Sequence, residues 1–438
     1  MAYSAFYTGL TGLKAHSAQL NVIGNNLANV NTFGFKGSRA SFAELFSSTT
    51  AGVNGAGVPF QIGLGTQLAA VHQIFNQGAL QPTDVETDMA LQGSGLFALR
   101  THDGLPVYSR AGNFSFDANG YLVDPNGHRV QGYTELDPLG HIIPSGSISD
   151  IRIPAGLQAP PNTTTLFELT MNLNAEALVD NPATAANEAE MYTNTVPVFD
   201  SLGAEHELTL VFTPIDNDGD GKLDDWTWEA RAPKSDLGIP VAPGDPEYEV
   251  IDSGTMQFDS NGQLTDPAAN VTLSIPGWAN GAAAQDVVWG LFETDATPLV
   301  TGFAMDSAIS SMSQNGYGVG RIRTLTVNDA GLISGTFTNG QTIELAQLAI
   351  ASFNNPAGLT KAAGNTYTAS LGSGAATLGT AGTGGRGTIM ARALELSNVD
   401  ITDQFTDLII AERGYQSNSR IITTTDQVMQ EALSIKRG

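Results

Sequence analysis

Apolar positions near the N-terminus recur every seven residues: Phe6, Leu13, Leu20 and Leu27, with Ile23 and Val30 three places after the later two. Seven-residue spacing keeps side chains on one side of a helix, so the pattern predicts a helix over residues 4–30 that packs along another helix. Such a helix is ~40 Å long at 1.5 Å per residue. Gly9, Gly12 and Gly24 each lower its intrinsic stability by ~1 kcal/mol relative to alanine, so it needs a partner. The other end of the chain supplies one. Ile401, Leu408, Tyr415, Ile422 and Met429 repeat at seven, and Phe405 and Leu433 fill the second seam position. Glu412, Ser419 and Asp426 leave the rest of that seam polar, and Asp400 or Thr402 is placed to cap the start. Two such helices at opposite ends predict termini lying side by side as a coiled coil, with everything between them inserted. A helical hairpin inside an ordinary globular core is the alternative reading of the same pattern.

Between the helices, short alternating apolar runs predict strands, joined at Asn119-Gly120, Asn126-Gly127, Asn261-Gly262 and Asn339-Gly340 by tight turns. One turn is duplicated: FDANGYLVDP at 116–125 and FDSNGQLTDP at 258–267 share the form F-D-x-N-G-x-L-x-D-P. Its physical content is an Asp that bonds backbone amides beside an Asn-Gly pair that supplies positive φ. Gly-rich stretches at 52–65 and 372–387 read as connectors.

Charge divides the chain further. The formal net charge is −25, yet residues 1–43 contain no Asp or Glu, while residues 150–310 hold 26 acidic and 4 basic residues. The acidic stretch reads as a solvated outer domain, and the acid-free end as one meant to be enclosed. An acidic chain of this kind excludes nucleic acid and anionic membrane surfaces as partners. Cysteine is absent, which removes disulfides, thiolate metal sites and Cys nucleophiles. Residues 1–13 lack the basic and apolar regions of a cleavable signal, and no window predicts a membrane span, so any export is expected to leave the N-terminus uncleaved.

Catalytic constellations are missing. Six histidines (16, 72, 102, 128, 141, 206) are scattered without metal-site spacing. Gly93-Ser94-Gly95 is a glycine turn rather than a nucleophile elbow. Gly382, Gly384 and Gly387 match G-x-G-x-x-G but stand in a low-complexity run without a βαβ setting. The reading is therefore a non-enzyme with no required cofactor. One segment has ion chemistry: Asp216, Asp218, Asp220 and Asp224 stand at positions 1, 3, 5 and 9 of a calcium-type loop, with Gly221 at position 6. Thr227 occupies position 12, where a bidentate Glu is expected, and the flanks LTLVF and WTW read as strands. A structural Ca²⁺ and a charged hairpin tip are both open readings.

The segment Asn25-Asn26-Leu27-Ala28-Asn29-Val30-Asn31-Thr32-Phe33-Gly34-Phe35-Lys36 resembles the signature of the flagellar rod and hook protein family. Ser397, Asn398, Val399 and Asp400 in LELSNVD, followed by Glu412-Arg413-Gly414-Tyr415-Gln416-Ser417-Asn418, match that family's C-terminal pattern. YSRAGNFSFDANGYLVDPNGHRVQGY (108–133), QNGYGVG (314–320), TNGQTIEL (338–345) and FNNPAGL (353–359) agree with it. The resemblance covers about residues 1–148 and 311–438, and Leu96 in GSGLF departs from it, the family more often having Phe there.

The resemblance implies a mainly β chain with α-helical termini, nested as several domains. Residues 1–30 with 397–438 are expected to form the helical coiled-coil domain and 31–70 a connector. Residues 71–148 with 311–396 would form a middle β domain, and 149–310 the acidic outer one. The large insertion implies the hook branch of the family rather than the rod branch, with a distal rod-type subunit as the alternative. The implied function is polymerisation into a curved tubular joint between rod and filament that transmits torque. Implied partners are copies of itself, rod and hook–filament junction proteins, the hook cap and the flagellar export apparatus. A monomeric secreted adhesin or carbohydrate-binding β protein is the alternative from another class.

Overall fold

A computed structural model describes residues 2–45, 47–53, 59–179, 189–216, 223, 225–293 and 295–435. Strands hold 42% of the residues and helices 16%, so the chain is mainly β. It divides into two compact units: Met1–Leu157 with Thr324–Thr336 and Thr342–Gly438, and Gln158–Arg323 with Phe337–Gln341. The central unit thus starts and ends later than the 149–310 expected from the resemblance, since strand Gln158–Ala159 pairs with Gly320–Arg321 where the chain enters and leaves it.

In the first unit, helix α1 (Ala2–Ala28) and helix α2 (Ile401–Ile435) lie against each other, and α1 also lies on a two-stranded ribbon. The ribbon pairs Ser38–Glu44 with Thr66–Gln73, Ser38 opposite Gln73 and Glu44 opposite Thr66. Beyond it, strands from before and after the insertion interleave. Leu96–Arg100 pairs with Pro106–Ser109, with Arg129–Tyr133 and with Ile350–Ser352. Met89–Gln92 pairs with Thr388–Ala391, and Leu80–Pro82 with Ala393–Glu395. One face of these strands buries Leu96, Ala98, Tyr108, Tyr133, Ala351 and Tyr367 together.

The second unit sets two sheets around one core. Tyr192–Phe199, Glu205–Ile215, Asp225–Pro233, Tyr248–Phe258 and Leu264–Asp266 form an antiparallel meander in chain order. The second sheet centres on Leu166–Asn172, parallel to Gln285–Gly290 and antiparallel to Ala308–Gln314. Strict alternation in Leu166–Asn172 and Asp225–Pro233 turns every second side chain inward, which is what a half-buried strand requires. Phe167, Phe212, Trp226, Trp228 and Trp289 fill the core between the sheets.

The duplicated turn has the expected chemistry. Asp117 Oδ1 accepts from the amides of Asn119 and Tyr121, and Asp259 Oδ1 from those of Asn261 and Gln263, all at 2.8 Å. Positive φ falls on Gly120 and Gly262, not on the Asn before them. The same turn also forms at Asp124, Asp137, Asp200 and Asn328, so its rule is an Asp or Asn with Gly three places on, and the Asn-Gly pair is incidental.

Candidate assembly interface: the paired terminal helices

Helices α1 and α2 run antiparallel. A Cβ at Gly9 would stand 3.1 Å from Ile422 Cγ1, one at Gly12 2.5 Å from Asn418 Oδ1, and one at Gly414 2.5 Å from the His16 ring. Asn26 Nδ2 donates to Gln404 Oε1 at 2.9 Å. These pairs step down the two helices in opposite directions. The seam on α1 is therefore Gly9, Gly12, His16, Ile23 and Asn26. On α2 it is Gln404, Gly414, Asn418 and Ile422, with buried Ala411 and Thr425 on the same side.

That corrects the stripe expected from large apolar residues. Ile23 is buried and Ile422 half-buried on the seam, whereas Phe6, Leu13, Leu20, Leu27 and Val30 are half-buried beside it. On α2, Leu408 and Met429 are half-buried. Ile401, Phe405, Tyr415 and Leu433 are exposed; Phe405 and Leu433 fall off the seam because its second position lies three residues after the first (404, 411, 418, 425) rather than four. The physical reason is close approach: glycine, alanine and short polar side chains let the two backbones come together where leucines would hold them apart. Gly9 and Gly12, read above as weaknesses, are what the packing needs. Gly24 has nothing within 4 Å and keeps only its cost.

What remains outside is the informative part. Ile401, Phe405, Ile409, Ile410, Ile421 and Val428 are 45–59% exposed. Ile401, Phe405 and Ile409 follow one another at four-residue steps along one side of α2. Ile410, Ile421 and Val428, eleven and seven residues apart, line another. α2 thus carries two exposed apolar strips outside its α1-facing side, set among polar side chains. Exposed apolar strips of this kind call for burial against a further partner.

The motif residues build the corner between helices and β region. Asn26 Oδ1 accepts from Ser38 N at 2.9 Å while its Nδ2 also donates to Ser38 O at 2.8 Å. Asn398 Oδ1 accepts from Gly37 N, and its Nδ2 donates to the carbonyls of Ile74 and Asn76. Asn29 Nδ2 donates to Asn25 O, and Asn29 Oδ1 accepts from Thr32 Oγ1. Ser397 Oγ accepts from Val399 N, and Asp400 caps α2 by accepting from Thr402 N at 2.7 Å and Asp403 N at 3.2 Å. Gly34 takes φ +65°, and Phe35 is buried beneath the Lys361 ammonium at 4.0 Å. Ala28 and Asn31 are exposed.

Lys36 leads to residues that no pattern singled out. Its side chain is 0% exposed and bonds Glu395 Oε1 at 2.6 Å and Asn76 O at 2.7 Å. Glu395, also 0% exposed, accepts from Gly78 N at 2.8 Å on that same Oε1 and from Arg110 Nε at 2.9 Å on Oε2. Arg110 Nη1 donates to the carbonyls of Gly93 and Gly95. Burial pushes the Lys36 pKa down, and the Glu395 carboxylate opposes this only in part. This cation–anion–cation cluster joins the ends of both terminal motifs to the β region. The sequence signals for it are faint: Lys36 is the one charged residue of the 25–36 motif, while Arg110 and Glu395 stand in motif stretches that carry other charges as well.

Among the described residues no group of His, Cys, Asp or Glu is arranged to hold a metal ion. Asp216 follows strand Glu205–Ile215, whose Ile215 pairs with Asp225 of the next strand. Asp218, Asp220 and Asp224 lie outside the described residues.

Residues 6–36 match the family described as flagella basal body rod protein, and residues 390–435 the flagellar basal body rod FlgEFG protein C-terminal. Residues 90–167 match the flagellar hook protein FlgE/F/G D1 domain, and 172–317 the flagellar basal body protein FlaE D2 domain. The flagellar hook protein FlgE of Treponema pallidum is 34% identical over 99% of both chains. The chain belongs to the flagellar hook protein family. The hook protein FlgE of Escherichia coli is 33% identical over 99% of this chain and 100% of that one. The structure of Helicobacter pylori FlgE2 aligns over 72% of this chain and 100% of that one, with 17% identity and a TM-score of 0.47. As a hook protein the chain is a structural subunit of the flagellar hook and not an enzyme. No helix among the described residues is long and apolar enough to cross a membrane.

Proposed function

We propose that the chain polymerises with copies of itself into the curved tube of the hook, with its terminal helices enclosed and its acidic central unit facing solvent. The observation that carries this is the pair of exposed apolar strips on α2, one through Phe405 and one through Ile421. Fully burying one such side chain is worth ~1.5–3 kcal/mol relative to leaving it in water, and every subunit offers several. The tube acts as a universal joint that passes torque from rod to filament. Rod and hook–filament junction proteins meet its ends, and the hook cap and export apparatus serve its assembly. Export through the flagellar type III route without signal cleavage accords with the resemblance, and N-terminal sequencing of protein recovered from assembled hooks tests it.

No cofactor is needed for this role. Ca²⁺ at Asp216, Asp218, Asp220 and Asp224 would be structural and weak, at ~10⁻⁴–10⁻³ M, for want of a bidentate ligand at position 12. Calorimetry of the full chain with and without millimolar Ca²⁺ tests it, and an unchanged melting temperature removes the ion. Negative-stain microscopy of the concentrated protein tests the main reading: it expects tubes from the wild type and none from Ile421→Asp, whose circular dichroism stays unchanged.

A further inference from the structure

A cavity of about 290 Å³ in the first unit is walled by Phe75, Leu96, Phe353 and Pro356, with exposed Ser94 among its lining. Arg110 also reaches it, but that guanidinium is taken up by Glu395 and by the Gly93 and Gly95 carbonyls. The same unit holds one leucine wholly in solvent: Leu371, at 106% relative exposure. Its segment is fastened rather than loose. Ser370 N donates to Ser373 Oγ, Ser373 Oγ donates to Ser370 O, and Asn355 Nδ2 donates to Gly372 O, all within 3.0 Å. A leucine presented on a rigid turn keeps no conformational freedom in exchange for its exposure.

Charge narrows the choice of occupant. Residues 345–394 carry Leu371 and the Phe353–Pro356 side of the cavity, and they contain no Asp or Glu in a chain of net charge −25. Copies of so acidic a chain repel one another, and an acid-free surface is where they approach with least repulsion.

We propose that Leu371 of one copy seats in this cavity of a neighbouring copy; the inference rests on the self-assembly reading above. One leucine falls far short of the ~1,200 Å² that a stable complex buries, so the contact holds no pair on its own. It adds to an assembly in which each copy touches several others. Because a knob of one copy meets a hole of the next, the contact can repeat from copy to copy within such an assembly.

The chain has no cysteine, so introduced ones report without interference. Full-length Leu371→Cys and Ser94→Cys chains, one isotopically labelled, are mixed, assembled and oxidised. Mixed disulfide dimers are expected in the polymer and not in unassembled chains. Leu371→Ala is expected to raise the critical concentration for assembly roughly tenfold, the factor that ~1.4 kcal/mol represents. If wild-type chains polymerise but mixed dimers are missing, or the alanine variant assembles at the wild-type concentration, the docking is overturned and self-assembly stands. If wild-type chains form no polymer, both fall.

Discussion

Glu395 is the residue on which the inner architecture most depends. It is fully buried, and it answers two cations, Lys36 and Arg110, from two parts of the chain. Removing the anion of a buried cluster strands its partners, at a cost of ~3–5 kcal/mol. Glu395→Gln is therefore expected to lower the unfolding transition of the first unit by that amount, followed by the circular dichroism of its helices in urea. The central unit has its own polar anchor. Burial alone would raise the pKa of Asp200, but hydrogen bonds from Asn280, His206 and the Ala204 and Leu202 amides outweigh it and hold the carboxyl below its ordinary 3.8. The unfolded chain thus binds this proton first as pH falls. The stabilisation is full above about pH 4 and is lost as pH drops through the lower folded value. Asp200→Asn is expected to flatten the pH dependence of the central unit's melting temperature in that acid range, which calorimetry checks. Neither residue announced itself in the sequence. Glu395 stands unmarked within LELSNVD, because ion pairing across 359 residues of chain leaves no local pattern.

At the scale of elements, the sequence told more about existence than about facing. Heptad spacing located both terminal helices, since periodicity is a property of one segment. It misplaces the seam, since spacing favours leucine and isoleucine as the residues facing the partner helix, while Gly9, Gly12, Gly414 and Asn418 do so. The reversal has a function-bearing cause: large residues kept off the seam are free for a second partner. It follows that charge at different positions of the pair has different effects. Ile23→Asp, at 4% exposure on the seam, is expected to unpair the helices, lowering helix content in circular dichroism. Ile410→Asp, at 59% exposure, is expected to leave that spectrum unchanged and to stop sedimentable polymer from forming. The turns show a similar limit. Asn-Gly pairs mark four turns, but in three of them the operative feature is an Asp three residues before a positive-φ glycine; Asp137, Asp200 and Asn328 carry that feature without Asn-Gly, and Gly340 has Phe337 in that place.

At the scale of the whole molecule, charge gave the partition its outline and strand pairing gives it its edges. Gln158 pairs with Arg321, so the two ends of the central unit are neighbours and excising 159–320 asks little of the chain that remains. That shortened protein is expected to stay soluble and to unfold cooperatively, since the strands from both sides of the excision pair with each other, as Leu96–Arg100 does with Ile350–Ser352. Aggregation or a non-cooperative melt would show that the first unit leans on the second. The central claim is that α2 is made to be covered by other copies of the same chain. A cryo-electron-microscopy reconstruction of the assembled protein tests it most directly. It should show Ile410, Ile421 and Val428 within ~4.5 Å of apolar atoms from neighbouring copies. A tube in which those three side chains still face water would contradict the account.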